Sequence, residues 1–186
     1  MLKKQTLYEL ENIKFPKTSS RKNISKKPIE SFVLGQVHYR YRSQKSLNGK
    51  SKGPSRWNIK YLKLFKKLKE LISFYHPDFK YTTIQINKNI LSPPHIDKNN
   101  VGKSYIIGLG DYQGGELNIE GKKYNIKNRW KYFDGTKGHW TEPFSGNRYS
   151  IIYFTHTFKP PNPVTRSLTV NKKGLYYKNE LIKKYI

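Results

Sequence analysis

The fold is decided by the sequence from YTTIQIN (Tyr81–Asn87) onward, where lysine-rich segments give way to short runs of β-branched and aromatic residues. Gly, Pro and Asn separate these runs, as is typical of strands joined by tight turns. The predicted strands are Tyr81–Asn87, Ser104–Leu109, Glu116–Ile119, Lys122–Ile126, Trp130–Phe133, His139–Thr141 and Arg148–Thr155. Strands this short and evenly spaced predict a two-sheet sandwich or jelly roll.

Two tight connections are predicted within this region. Glu120-Gly121 lies between two short apolar runs, which indicates a β-hairpin. The turn Pro143–Asn147 lies between the strands that begin at His139 and Arg148. We therefore expect these two strands to pair antiparallel, with the His139 and Arg148 side chains directed into one cavity.

One clear helix precedes the strands. Apolar residues recur with the i, i+3, i+4, i+7 spacing of an amphipathic helix, and Pro77 marks its end. These residues are Tyr61, Leu64, Phe65, Leu68, Ile72 and Tyr75. The lysines between them are most simply a solvated outer surface, and nucleic-acid binding is the alternative. The fold class is α+β, mainly β, with this helix supporting the strands.

The length of 186 residues predicts a single domain. Within it we expect a basic N-terminal arm and loop over residues 1–55, a core over 56–159, and a C-terminal linker and hairpin over 160–186. Residues 1–31 are expected to contribute little to the core. Local elements predicted outside the core are a short helix at Leu2–Leu10, a strand at Phe32–His38, a flexible basic loop at Ser43–Arg56, and hairpin strands at Ser167–Val170 and Leu175–Tyr177.

The charge predicts a polyanionic partner. There are 37 Lys and Arg residues against 12 Asp and Glu, a net charge of +25, which favours nucleic acid, an anionic membrane surface or an acidic protein. The chain has 30 Lys, 7 Arg and no Ala, so an AT-rich coding sequence accounts for part of the lysine. No apolar run approaches the roughly 18 residues of a membrane span, and no secretory signal opens the chain. We expect an intracellular protein without membrane association.

The chain has no Cys, so any metal must be bound by His and carboxylate. His95-Ile96-Asp97 follows the stiff pair Pro93-Pro94, and His139 begins a later strand. Two His and one carboxylate leave coordination positions open, which suits non-haem Fe(II) and O₂ chemistry. Arg148 on the following strand is suited to grip a dicarboxylate. The alternatives are ordinary polar loop histidines and a surface arginine.

These motifs together resemble the Fe(II)/2-oxoglutarate-dependent dioxygenases, over roughly Tyr81 to Phe158. The superfamily carries HxD, a distal His and an Arg about ten residues further on, within a double-stranded β-helix. Three further landmarks occur here in the same order, namely Gly114-Gly115-Glu116-Leu117, Phe133-Asp-Gly135 and Arg148-Tyr149-Ser150.

The resemblance implies that His95, Asp97 and His139 hold Fe(II) and are the catalytic ligands. It also implies that Arg148 and Ser150 bind the distal carboxylate of the co-substrate 2-oxoglutarate. With O₂, the expected products are succinate, CO₂ and a hydroxylated substrate. Asn87, on the strand before HxD, and Tyr105 are further candidates for hydrogen bonds to the co-substrate.

The stretch from His95 to Leu117 is similar to the TET/JBP-type branch, which oxidises the 5-methyl group of pyrimidines in DNA. That similarity agrees with the positive charge, because a basic groove can follow the phosphates and aromatic side chains can hold a flipped base. The expected partner is nucleic acid, most simply DNA. The alternatives are a dioxygenase acting on a protein side chain or small molecule, and a non-catalytic β-sandwich that binds nucleic acid.

Overall fold

The computed structural model describes residues 1–40, 50–156, 169–171, 174–177 and 180–181. Its internal contacts divide the chain into two compact units. One comprises Met1–Val37 with Pro54–Thr157, and the other comprises His38–Gly53 with Phe158–Ile186. The predicted linker at residues 160–163 lies outside the described residues.

Three helices and fifteen strands are formed by the described residues. The helices are α1 (Leu2–Glu11), α2 (Trp57–Lys60) and α3 (Leu62–Tyr75). The strands are β1 (Lys17–Thr18), β2 (Ile29–Arg40), β3 (Lys50–Pro54), β4 (Thr83–Lys88), β5 (Asn100–Leu109), β6 (Tyr112–Gly114), β7 (Leu117–Ile119), β8 (Lys122–Tyr124), β9 (Lys131–Phe133), β10 (His139–Thr141), β11 (Phe144–Gly146), β12 (Tyr149–His156), β13 (Thr169–Asn171), β14 (Gly174–Tyr177) and β15 (Glu180–Leu181).

The first unit is built on a large antiparallel sheet with the order β1-β2-β4-β12-β5-β9. The central strand β12 places Ser150 opposite Asn87 on β4 and opposite Gly108 on β5. Two smaller groups of strands accompany this sheet, β10-β7-β8 and β11-β6. In the second unit, β13, β14 and β15 form an antiparallel sheet.

Side chains alternate between the two faces of the large sheet, as the period of a β-strand requires. One face packs against α1 and α3 in the main apolar core. This core contains Leu10, Phe15, Phe32, Leu34, Tyr61, Leu64, Leu68, Ile72, Ile84, Ile86, Ile107, Leu109, Tyr149, Ile151 and Tyr153. The opposite face carries a smaller cluster of Ile106, Leu117, Ile126 and Phe133, in which β5 meets β7. Polar residues of β4 and β12 also face this second side.

The predicted mainly β chain with a supporting helix is confirmed. The helix ends at Tyr75, and each of the seven predicted core strands is present with small shifts in its ends. The hairpin at Glu120-Gly121 joins β7 to β8, and both turn residues have positive φ. The C-terminal hairpin is formed by β13 and β14.

Three expectations are wrong. Residues 1–31 are not a peripheral arm, because Leu10, Phe15 and Ile24 are buried. The strands that begin at His139 and Arg148 do not pair with each other. Instead β10 pairs with β7 and β12 lies between β4 and β5, because β11 forms in the connection and pairs with β6. The basic loop at 43–56 contains β3, and its residues 41–49 lie outside the described residues.

Candidate functional site

A group of two histidines and one aspartate forms where the β4–β5 connection meets β10. The His95 and His139 backbones exchange two N–H to carbonyl hydrogen bonds of 3.0 Å, which places their rings 4.3 Å apart. The backbone N–H of Asp97 donates to the carbonyl of Gly135 at 2.8 Å. One ligand atom from each of His95, Asp97 and His139 lies within 4.8 Å of the others. Within the described residues this is the one such group of metal-binding side chains.

The backbone fixes the orientation of both imidazoles. His95 Nδ1 lies 2.7 Å from the carbonyl of Pro93, and His139 Nδ1 lies 2.8 Å from the carbonyl of Lys137. A carbonyl can only accept, so each Nδ1 carries the proton and each Nε2 keeps a free lone pair. His139 Nε2 lies 3.8 Å from Asp97 Oδ2. The Pro93 carbonyl, just before the HxD motif, therefore orients a ligand.

The electrostatics keep His95 ready to bind a metal. Burial lowers its pKa most, the neighbouring His139 and Arg21 act in the same direction, and the Pro93 carbonyl and Asp97 oppose them. A neutral imidazole is the form that ligates metals. Two neutral imidazoles and a carboxylate, with no thiolate in the chain, fit a divalent first-row metal with open coordination positions.

A buried arginine forms the second part of the site. The Arg148 side chain is only 2% exposed, and its Nε has no hydrogen-bond partner among the described residues. Its guanidinium lies 5.6 Å from the ring of Tyr112 and 5.4 Å from that of Phe144. None of the ion pairs found in the described residues includes it. Burial lowers the pKa of Arg148, and the nearby Tyr112 and Glu116 oppose that shift.

A buried cation without a counter-ion is costly, so this arrangement is typical of a site that waits for an anion. The surrounding backbone leaves space for the Arg148 guanidinium. The backbone N–H of Arg148 donates to the Asn89 side chain at 2.7 Å, which holds the start of β12 against the end of β4. Gly115 has a positive φ of 70°, and a Cβ there would lie 2.8 Å from Arg148 Nε. The Gly114-Gly115 landmark therefore makes room for the guanidinium.

A polar row connects the arginine strand to the metal-binding group. Asn87 Nδ2 donates to Ser150 Oγ at 3.1 Å, and Asn87 Oδ1 accepts from Ser31 Oγ at 2.9 Å. The same Oδ1 accepts from Arg21 Nη1 at 2.9 Å. Arg21 is in turn close enough to Asp97 and His95 to act on both electrostatically. Asn87 and Ser150 thus lie side by side on neighbouring strands, and Ser150 comes two residues after Arg148 in the chain.

Tyr105 is placed differently, and the prediction that it contacts the co-substrate is wrong. Its ring stacks on His76 with centroids 3.9 Å apart and packs against the main core on the helix side of the sheet. Strand parity explains the error. Ser104 and Ile106, its neighbours on β5, face the side that carries Asn87 and Ser150.

Two residues of the site were missed by the sequence analysis. The Tyr112 hydroxyl is buried, and it lies close enough to Arg148 for each group to affect the pKa of the other. It lies over β5 where Gly108 has no side chain, since a Cβ there would be 2.2 Å away. A glycine that faces a tyrosine indicates such a contact only when the positions of the strands relative to each other are known. Arg21 was missed because it lies among the lysines of a segment that was interpreted as an arm.

No helix in the described part of the chain is long and apolar enough to cross a membrane. A scan against models of protein families finds no match for this sequence, and a comparison with curated proteins finds none either.

Solved structures do resemble the chain. One is NgTET1 in complex with 5mC DNA, with a TM-score of 0.56 and 16% sequence identity over 86% of this chain and 70% of that one. Another is an oxidoreductase of the 2OG-Fe(II) oxygenase family from Burkholderia pseudomallei, with a TM-score of 0.53 and 15% identity over 86% of this chain and 81% of that one. At this identity the likeness concerns the fold. The fold of this chain is therefore similar to the folds of these two proteins.

Proposed function

We propose that this chain is an Fe(II)- and 2-oxoglutarate-dependent dioxygenase with a double-stranded β-helix core. One observation carries the proposal. A complete two-histidine, one-carboxylate group and a buried arginine without an acidic partner among the described residues are linked through Arg21, Asn87 and Ser150. A structural protein gains nothing from either feature, whereas a metal and a dicarboxylate together would satisfy both.

The double-stranded β-helix is supported by the arrangement of the strands. β4, β12, β5 and β9 are neighbours in the large sheet, and β10, β7 and β8 form a second one. The candidate metal ligand His139 begins β10, and its ring packs edge-on against Phe133 of β9 with centroids 5.3 Å apart. The metal-binding group thus includes a residue of the smaller sheet that contacts the large sheet, which supports a jelly roll.

Each residue of the site has a task in this proposal. His95, Asp97 and His139 would hold Fe(II), which with 2-oxoglutarate and O₂ supplies the chemistry that hydroxylates a C–H bond and yields succinate and CO₂. Arg148 and Ser150 bind the distal carboxylate of the co-substrate. Besides these predicted groups, Tyr112 directs its hydroxyl to the same place, and the neighbouring apolar cluster excludes water from it.

We further propose that the substrate is a 5-methylpyrimidine in nucleic acid, most simply 5-methylcytosine in DNA. The similar NgTET1 structure contains 5mC DNA, and the net charge of +25 attracts phosphates. Around the metal ligands, Ile96 is 42% exposed and Leu91 is 56% exposed, and Lys98 is exposed as well. Apolar side chains beside a cation at the mouth of a site suit a base with its phosphate.

The substrate is tested by incubating the protein with methylated DNA, Fe(II) and 2-oxoglutarate and analysing the nucleosides by mass spectrometry. We expect oxidised 5-methylcytosine with the wild-type protein and none with Asp97→Ala. Asp111→Ala is the matched control, because that carboxylate is fully exposed. The substrate proposal is contradicted if 5-methylcytosine and thymine stay unmodified while succinate is produced with a protein or metabolite substrate. That result would favour a dioxygenase that acts on a protein side chain or small molecule.

A non-catalytic protein that binds nucleic acid would behave differently. It would bind DNA with an affinity that falls steeply as salt rises, and it would form no succinate with any substrate. The same salt titration on the active enzyme is expected to show a steep slope too, because phosphate contacts dominate affinity in both cases. Turnover, not binding, therefore separates these two candidates.

A further inference from the structure

The N-terminal segment between β1 and β2 delivers an arginine to the candidate site. Arg21 lies in a turn whose backbone carbonyl accepts hydrogen bonds from the N–H groups of Ile24 and Ser25. Ile24 is buried, which anchors this turn against the rest of the unit. The Arg21 side chain is partly enclosed, and Nη1 donates to Asn87 Oδ1 at 2.9 Å. The segment is therefore part of the wall of the site.

The charge of Arg21 is countered by Asp97 at a distance, without a direct ion pair in the described part of the chain. Among the described residues its guanidinium makes that one side-chain hydrogen bond, although it has five N–H donors, and it takes part in no ion pair. Its position is unusual because it acts electrostatically on two candidate metal ligands, Asp97 and His95. A cation at that position opposes the binding of a metal ion unless an anion lies between them.

Asn87 does not need Arg21 to be held in place. Its Oδ1 already accepts from Ser31 and its Nδ2 already donates to Ser150. A purely structural partner for this amide would be neutral, because enclosing a guanidinium costs more than enclosing a hydroxyl. The charge itself is therefore what the position requires.

We propose that Arg21 binds the carboxylate at the metal end of 2-oxoglutarate, while Arg148 binds the distal carboxylate. This inference rests on the proposed function. The two arginines then match the two negative charges of the co-substrate. Arg21 lies at one end of the row formed with Asn87 and Ser150, and Arg148 lies near the other end, directly before the strand of Ser150. Arg21 lowers the affinity for the metal alone and raises the affinity for the metal together with the co-substrate. The binding of the two is thereby coupled.

The test uses the full chain loaded with Mn(II) and measures binding of 2-oxoglutarate and of oxalate by calorimetry. Oxalate carries the metal-binding end but cannot reach Arg148. We expect Arg21→Gln to weaken both ligands by about 10- to 100-fold, the loss of one charge-assisted contact. Arg148→Met should weaken 2-oxoglutarate similarly and leave oxalate unchanged. Glutamine keeps an N–H donor for Asn87, so it removes the charge with little effect on the fold.

Lys22→Gln is the matched control, since Lys22 is exposed in the same segment. It should leave both affinities unchanged, and Arg21→Gln should bind Mn(II) alone at least as tightly as the wild type. The inference is overturned if Arg21→Gln, folded by circular dichroism, binds oxalate as the wild type does. A wild-type protein that takes up Mn(II) but not 2-oxoglutarate would instead contradict the proposed function.

Discussion

At the scale of single residues, the site contains a charge that the folded protein does not neutralise. Arg148 is almost fully buried and is flanked by aromatic rings, so we expect its charge to lower the free energy of unfolding. We predict that Arg148→Met raises the free energy of unfolding of the metal-free protein by about 1 to 3 kcal/mol. The same change should lower the affinity for 2-oxoglutarate about 100-fold, because a charge-assisted contact is lost.

Chemical denaturation and calorimetric titration measure these two effects separately. Arg129→Met is the matched control, because Arg129 is exposed and should change neither quantity. A less stable Arg148→Met protein would show that the guanidinium has an internal partner. Unchanged affinity would remove Arg148 from the co-substrate site.

Gly115 is the residue that gives the guanidinium its space. Gly115→Ala places a Cβ 2.8 Å from Arg148 Nε and 2.9 Å from Cδ at a φ of 70°. We predict that backbone strain lowers the free energy of unfolding by about 1 to 2 kcal/mol. The variant should also bind 2-oxoglutarate more weakly, because the guanidinium is displaced.

Gly102→Ala separates the two effects in the same assays. Gly102 has a φ of 66° but nothing within 4 Å of its Cβ position. It should therefore show the strain without the loss of affinity. If the two variants bind 2-oxoglutarate equally well, Gly115 is needed for the turn but not for the position of the Arg148 guanidinium.

At the scale of elements, the N-terminal helix belongs to the core. Leu10 on α1 is fully buried in the cluster that α3 forms with the large sheet, whereas Tyr8 on the same helix is 64% exposed. We predict that Leu10→Ala lowers the free energy of unfolding by about 2 to 5 kcal/mol. Tyr8→Ala should stay within about 0.5 kcal/mol of the wild type, measured by urea denaturation. Equal effects would mean that α1 does not pack as described.

The C-terminal end of α3 carries a histidine whose stability contribution depends on pH. His76 stacks on Tyr105, and its Nε2 has no partner among the described residues. Burial lowers the pKa of His76 below the ordinary value of 6.5. As pH falls through about 6.5 the unfolded chain takes up the proton first, so the free energy of unfolding falls with pH.

His76→Phe removes this term. We predict that the metal-free variant loses less stability than the metal-free wild type between about pH 7.5 and about pH 5.5, on either side of the ordinary histidine pKa. Denaturation curves at both pH values provide the measurement. Identical losses would show that His76 titrates in the folded protein as it does in the unfolded chain.

The elements also show how far the sequence was informative. Hydrophobic periodicity predicts α3 and β4 because each pattern reflects burial of one face or of a whole strand. It does not predict the pairing of β10 with β7, because pairing depends on β6 and β11, which are three residues each and carry little pattern. Tyr105 was misplaced for a related reason, since a one-residue change of parity moves a side chain to the other face.

At the scale of the whole molecule, the charge of +25 is not confined to the site. Exposed lysines on α3, such as Lys63, Lys66 and Lys69, lie on the helix side of the large sheet, away from the metal-binding group. These residues contribute to general attraction of polyanions but cannot line the mouth of the site. These three lysines therefore do not support the proposed substrate, whereas Lys98 is exposed next to the metal-binding group.

The candidate metal ligands and Arg148 were predictable because motif spacing carries chemistry directly. Arg21 and Tyr112 were not, since their importance comes from tertiary contacts with Asn87 and Gly108 rather than from any local pattern. The site as a whole thus joins three parts of the chain that are far apart in sequence, namely the N-terminal turn, the HxD loop and β12.

The central claim is that the group formed by His95, Asp97 and His139 holds Fe(II) for turnover of 2-oxoglutarate. The most direct measurement is Fe(II)-dependent conversion of 2-oxoglutarate to succinate by the purified chain, with methylated DNA present. We predict succinate from the wild type and from Asp111→Ala, and none above background from Asp97→Ala. The claim is contradicted if iron-loaded wild-type protein forms no succinate, or if Asp97→Ala forms as much as the wild type.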